Sequence, residues 1–224
     1  MGQVDNGILQ GSPISPILAA FYTSDLLEQF QPKPLNPTNQ EFPSPDKAMD
    51  VHLLMYVDDG KLYVSSKSLE TNIAYLKGAY NKAEKWLKDA GLSQDHTKRE
   101  LMHYTRRKND GSLSISFDDR NGICHVVKPE STVRWLGVHF DWKLHFQKHA
   151  TILAACGKNA VSGLTMLANT VQGLSQTHLH HLYLACILPK ILYACPVWWS
   201  GHQYQIKPLE KVQRHVLRLI CAAF

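Results

Sequence analysis

No C-x-x-C pair occurs in the 224 residues, and the five cysteines stand singly between Cys124 and Cys221. An odd number so spread out excludes a disulfide framework and a ribbon-type zinc site, and points to reduced thiols in an intracellular protein. Met1–Gln10 has neither a basic start nor an apolar run, so the chain is expected in the nucleus or cytoplasm and not secreted. No long apolar run escapes interruption. The most apolar stretch, Leu182–Trp199, holds Pro189, Lys190 and Pro196, and it reads as a buried helix with no membrane role. No internal repeat is found. With 44% hydrophobic and 19% charged residues, disorder and collagen-like structure are excluded, and one large or two small domains can be built.

Acidic residues all but vanish from the last third. From Trp142 to Phe224, Glu210 is the single acid against eight Lys/Arg, about +7, whereas the part up to Asp141 carries sixteen bases against eighteen acids. A mildly acidic front followed by a basic tail suggests that the tail meets a polyanion, although a solvated helical surface has the same composition. Seven of the twelve histidines lie in that tail and would add charge below about pH 6.5.

Gly7–Pro16 is a Gly/Ser/Pro-punctuated loop, with Ser15-Pro16 set to open a helix reaching about Phe30. Five prolines make residues 31–50 a loop or insertion. Val51–Val57 and Lys61–Ser65 flank Asp58-Asp59-Gly60 as a β-hairpin. Ser68 opens an amphipathic helix with Leu69, Ile73, Leu76, Tyr80, Ala83, Leu87 and Ala90 on one stripe, closed by Gly91. Strand-like runs follow at Glu100–Thr105, Leu113–Phe117, Ile123–Val127 and Val133–Phe140, and from about Leu144 the pattern is helical. The layout is α+β, then α.

Asp58-Asp59 is the sharpest chemical feature. Two adjacent carboxylates on an apolar hairpin repel each other unless a cation lies between them, and Mg²⁺ suits hard oxygen ligands completed by substrate phosphates. Taken alone, the dipeptide reads better as an ordinary acidic hairpin turn.

The surrounding motifs are more specific. Tyr56-Val57-Asp58-Asp59, preceded by Gln10-Gly11-Ser12-Pro13-Ile14-Ser15-Pro16, resembles the reverse transcriptases of non-LTR (LINE-like) retrotransposons. Gly91-Leu92 through Lys98 and Glu100 is similar to that family's block after the long palm helix, and Val133-Arg134-Trp135-Leu136-Gly137-Val138 to its primer-grip hairpin. Pro189–Tyr193 and Val197-Trp198 are similar to the thumb and the segment after it. These motifs follow in the family's order.

The resemblance implies an α+β partial polymerase palm of β-hairpin, helix and small antiparallel sheet over residues 1–141, with a Pro-rich insertion at 31–50. An all-helical, thumb-like region would fill residues 142–224. It implies template-directed nucleotidyl transfer with Mg²⁺ or Mn²⁺, an RNA template, a DNA primer and dNTPs. Asp58 would be the principal metal ligand and Asp59 its neighbour. Tyr56 and Val57 would floor the primer end, and Gln10 and Gly11 would lie beside nucleotide and template. Lys98 would sit near the triphosphate as charge stabiliser or proton donor. Arg134, Trp135, Leu136 and Gly137 would position the primer, and Lys143, Lys148 and Lys158 in the basic tail would meet the nucleic-acid backbone.

The family also uses an aspartate from a strand well upstream of the Gln-Gly loop, whereas only Asp5 is acidic before Gln10. The expectation is the C-terminal part of a reverse transcriptase domain whose upstream palm and fingers lie elsewhere, inactive alone. The alternative is a non-catalytic nucleic-acid-binding remnant of a retroelement; a piece too short to fold alone is a third. His178, His180 and His181 with Cys186 lack finger spacing and read as exposed histidines. Trp135, Trp198 and Trp199 read as core. Lys98-Arg99 and Arg106-Arg107-Lys108 could meet phosphate, or for the second cluster a solvated turn.

Overall fold

The computed structural model describes residues 12–31, 51–105, 113–118, 124–168 and 173–221. Two compact units form: residues 1–99 with 112–128, and residues 100–111 with 129–224. Gln10, Gly11, the Arg106–Lys108 cluster and all but the first residue of the expected insertion at 31–50 lie outside the described residues.

In the first unit, α1 (Ser15–Tyr22) starts at Pro16 in its first turn but has Ile14, not Ser15, at its cap position. It stops earlier than expected. Thr23 Oγ1 donates to the Ala19 carbonyl at 2.9 Å and Ser24 Oγ to the Phe21 carbonyl at 2.7 Å, and such side-chain competition loosens a helix before α2 (Ser24–Glu28) resumes. Strands β1 (His52–Tyr56) and β2 (Asp59–Tyr63) form an antiparallel hairpin.

Helix α3 (Leu69–Asp89) buries Tyr80 of the expected stripe and leaves the stripe's other residues half-buried, with Ala79 buried beside them, and Gly91 ends it at φ +72°. Tyr80 anchors the next hairpin, β3 (Ile115–Asp118) with β4 (Cys124–Val127). Its ring lies 4.2 Å from that of Phe117, and the Arg99 guanidinium covers both at 4.7 and 5.1 Å.

The expected small sheet is not one sheet. Among the described residues the strands form three separate two-stranded hairpins. Glu100–Thr105 contributes only a bridge between Leu101 and Pro129, where proline has no N–H to extend a ladder. The third hairpin, β5 (Thr132–Trp135) with β6 (Val138–Asp141), belongs to the second unit. The expected boundary after Asp141 therefore differs from the compact division, because Val138 lies in the helical core with Phe140 against it.

Around this hairpin pack α4 (Gln147–Leu167), α5 (Gln176–Leu182), a π-helical turn (Tyr183–Ile187), α6 (Leu188–Ile191), α7 (Cys195–Trp198) and α8 (Gln203–Ile220). Gly157 lets α4 approach α6 and α8 closely. A Cβ there would stand 2.5 Å from Ile191 Cγ2 and 3.1 Å from Val212 Cγ1. Pro189 follows the π turn, which absorbs the ladder that proline interrupts.

Gln176–Trp198 is long and apolar enough to cross a membrane by length and composition, with mean hydropathy 1.3. In the fold Leu179, Tyr183, Ile187, Ile191 and Trp198 enter the core, while Leu184, Leu192 and Val197 stay exposed. The expectation of a buried helix holds for that inward face alone. Of the tryptophans expected in the core, Trp198 is buried, Trp135 half-buried and Trp199 exposed, since α7 ends at Trp198.

Two polar residues organise this unit. Gln205 is fully buried and satisfied: its Nε2 donates to the carbonyls of His145 and Trp198, and its Oε1 accepts from the N–H and Oγ of Ser200. The Asp141 carboxylate accepts from the N–H groups of Lys143, His145 and Phe146 at 3.1, 3.0 and 2.6 Å, fixing the entry to α4 where Leu144 and Phe146 both have φ +56°.

Candidate active site

The β1–β2 register places the aspartates differently from the expected tip. Tyr56 pairs with Asp59, so the two-residue turn is Val57-Asp58, and Asp59 already belongs to β2. His52, Leu54 and Tyr56 share the outer face with their partners Tyr63, Lys61 and Asp59. Leu53, Met55, Gly60 and Leu62 take the other face. The adjacent carboxylates thus project from a turn position and a strand position. Both are exposed, beside a Tyr56 that is 61% exposed.

Val57 adopts φ +57°. Two-residue hairpins commonly need such an angle, but glycine, asparagine or aspartate usually supplies it. For a β-branched residue it is a strained conformation, costing on the order of 1–3 kcal/mol, which the flanking pairs must hold in place. Strain of this kind concentrates at working sites, and here it falls between Tyr56 and the two aspartates.

Lys98 ends a 3-10 turn, His96–Lys98, shortly after α3. Asp95 caps that turn, its Oδ1 accepting from the N–H and Oγ1 of Thr97 at 3.0 and 2.6 Å. The hydrogen bond from the Thr97 hydroxyl, then that from its N–H, holds the Asp95 carboxyl below the usual range. Lys98 Nζ lies 3.4 Å from Asp95 Oδ2 with its side chain 83% exposed. Its neighbour Arg99 turns the other way, onto Tyr80 and Phe117. Of the two bases, Lys98 alone is offered to solvent.

The remaining expected residues lie in the second unit. Arg134 is exposed on β5, and Trp135 closes that strand. Leu136 and Gly137 form a two-residue turn with φ +47° and +79°. Tyr193, which the sequence reading did not single out as a site residue, holds this turn. Its hydroxyl donates to the Leu136 carbonyl at 2.8 Å, and a Cβ on Gly137 would meet its ring at 3.1 Å. Glycine fits there on both counts. Lys143, Lys148 and Lys158 are exposed, the first with Nζ 4.6 Å from its neighbour's ring at Trp142. His178, His180 and His181 are exposed on α5.

Two adjacent exposed carboxylates are hard oxygen donors of the kind Mg²⁺ accepts with water or phosphate completing the shell. Among the described residues no three His, Cys, Asp or Glu side chains gather as a metal cluster. Asp58 and Asp59 therefore fit an open, partly substrate-built cation site.

Residues 3–140 match the sequence model of the family described as reverse transcriptase (RNA-dependent DNA polymerase). The chain belongs to the reverse transcriptase family. The match runs from before the Gln10-Gly11 loop through the aspartate hairpin to the end of the β5–β6 hairpin.

Similar proteins carry names of the same kind. The RNA-directed DNA polymerase from mobile element jockey of Drosophila melanogaster is 21% identical, over 97% of this chain and 22% of that protein. A retrovirus-related Pol polyprotein from type-1 retrotransposable element R1 4 of Nasonia vitripennis is 30% identical, over 51% of this chain and 26% of its own length. The probable RNA-directed DNA polymerase from transposon X-element of Drosophila melanogaster is 21% identical, over 96% and 21%. These findings bear out the resemblance to non-LTR reverse transcriptases. The chain spans about a fifth to a quarter of the length of these relatives. No solved structure matches it.

Proposed function

We propose that this chain is the part of a non-LTR retrotransposon RNA-directed DNA polymerase that carries the aspartate hairpin, acting on a DNA primer annealed to an RNA template. The observation that carries the reading is the Asp58-Asp59 pair, exposed on a strained hairpin inside the segment that matches the family. On this reading the first unit is part of the palm, and the helices from α4 onward correspond to the thumb.

Asp58 and Asp59 would hold Mg²⁺ or Mn²⁺. Cations bound there supply activation of the primer hydroxyl and neutralisation of the departing pyrophosphate. The rest is positioning by side chains. Tyr56, on the outer face beside Asp59, offers a flat surface under the terminal base pair. Lys98, exposed and 3.4 Å from the Asp95 carboxylate, presents a movable charge to a triphosphate. Arg134 and the Leu136-Gly137 turn orient the primer end. A third carboxylate would come from an upstream polymerase segment, and without it the chain binds without extending. The absence of a three-ligand cluster among the described residues favours the second reading, a non-catalytic nucleic-acid-binding remnant, for the chain by itself.

Manganese titration followed by electron paramagnetic resonance tests the proposal on the 224-residue protein with primer–template and dNTP. Asp58→Asn should weaken manganese binding at least tenfold, whereas equal binding by both proteins would remove the aspartates from the metal site.

A further inference from the structure

The β5–β6 turn is held from outside. Leu136 and Gly137, at φ +47° and +79°, form a turn that favours asparagine or aspartate before glycine, and leucine enters it under strain. Neither residue has a polar side chain with which to stabilise that backbone. Tyr193 does so across fifty-seven residues, its hydroxyl on the Leu136 carbonyl and its ring on Gly137. Ala194, directly after it, is itself left-handed at φ +52°. Of the five non-glycine residues with positive φ among the described residues, two thus flank one hydrogen bond.

A second tie holds the same hairpin. His139 lies opposite Arg134, and the alternation of the ladder turns its N–H away from β5. That N–H donates to Nδ1 of the buried His149 at 3.3 Å. The two ties converge on the buried Trp198. Its Nε1 donates to the Tyr193 carbonyl at 2.8 Å, and its ring lies edge-on to that of His149 at 5.8 Å. Turn and strand are therefore fixed to one side chain in the core. Burial does not account for the tyrosine, which is 49% exposed, and a single hydrogen bond at the surface adds little to stability. What it fixes is the backbone angle of the turn that follows Arg134 and Trp135.

We propose that Tyr193 is a positioning residue for the 3′ end of a DNA primer, acting through the Leu136-Gly137 turn, with His149 and Trp198 as its support. Strain held in place by an outside contact marks a backbone whose shape is used. The inference rests on the reading of the chain as a primer-handling fragment, and it names what sets the shape of the primer-positioning turn. Tyr193 touches no reacting atom itself. Releasing the turn leaves duplex affinity, which is spread over many backbone contacts, nearly unchanged and displaces the primer terminus.

Two fluorescence readouts on the full chain test this, with circular dichroism as the folding control. 2-Aminopurine at the 3′ terminus of a DNA primer annealed to RNA reports the setting of the primer end, and anisotropy of a labelled template strand reports affinity. The unsubstituted chain should change the terminal fluorescence on saturation. Tyr193→Phe keeps the ring and loses the hydroxyl. It should bind within about twofold as tightly and give a terminal change at least about twofold smaller. Adding Leu136→Asn should restore the change, since asparagine before glycine takes the left-handed turn unaided. In the unsubstituted chain, hydrogen exchange at residues 133–138 and 190–198 should slow together on binding, a readout independent of any variant's folding. An equal terminal change in Tyr193→Phe, affinity and terminal change lost together, no rescue by Leu136→Asn, or slowing at 133–138 alone each overturns the positioning role and leaves the polymerase reading standing. An unsubstituted chain that binds no primer–template, or binds it without any terminal change, overturns both.

Discussion

The Tyr193 hydroxyl donates to the backbone carbonyl of Leu136 at 2.8 Å, so the turn between α6 and α7, fifty-seven residues downstream, fixes the turn of the β5–β6 hairpin. The turn needs fixing because Leu136 and Gly137 both have positive φ, and leucine adopts it only with support. The Tyr193 carbonyl in turn accepts from Trp198 Nε1 at 2.8 Å, linking the turn to the buried core.

Tyr193→Phe should cost about 0.5–1.5 kcal/mol, the net worth of one hydrogen bond, in urea unfolding. Gly137→Ala should cost more, because its Cβ both strains the backbone at φ +79° and presses on the tyrosine ring. Equal losses from the two would mean that the ring does not cover the turn.

Gly157 and Gly163 lie on the same helix and should respond oppositely to alanine. At Gly157 the new methyl meets Ile191 and Val212, and overpacking should destabilise by about 1–3 kcal/mol. At Gly163 nothing stands within 4 Å of the Cβ position, and the gain in helix propensity should stabilise by about 0.5–1 kcal/mol. Parallel thermal melts of the two variants decide it.

His149 is 1% exposed, and its Nδ1 accepts the His139 N–H at 3.3 Å, so the neutral ring carries its proton on Nε2, a buried atom without a partner among the described residues. Burial, then the charge of His139, lowers its pKa. His139 is lowered too, by burial first and then by Arg134 and Lys148. The unfolded chain therefore takes up protons that the folded chain refuses. Stability should be full above about pH 6.5 and fall as pH drops below that value. Urea midpoints at pH 7.5 and 5.5 measure the fall. His149→Asn, which keeps an acceptor for the His139 N–H but does not titrate in this range, should reduce it; an undiminished fall would place the titrating group elsewhere.

Much of this was legible in the sequence. The Leu69–Ala90 stripe, the Gly91 stop and the aspartate hairpin follow from local periodicity and turn chemistry, where nearest neighbours decide the outcome. Tyr193 and Gln205 were not legible as organising residues, because their partners at 136 and 145 lie more than fifty residues away and a lone tyrosine or glutamine announces no partner. The split of Lys98 from Arg99 was hidden for the same reason: Phe117 draws one base inward.

Single-turnover nucleotide addition tests the central claim most directly, in a polypeptide joining this chain to the upstream polymerase segment of its longer relatives, on a pre-bound RNA–DNA primer–template. Asp58→Asn replaces a charged oxygen ligand with a neutral amide of nearly the same shape. The account predicts that extension is abolished while circular dichroism stays unchanged. An Asp58→Asn protein that remains folded and extends the primer at the unsubstituted rate would contradict it, and would leave Val57-Asp58 as no more than a turn.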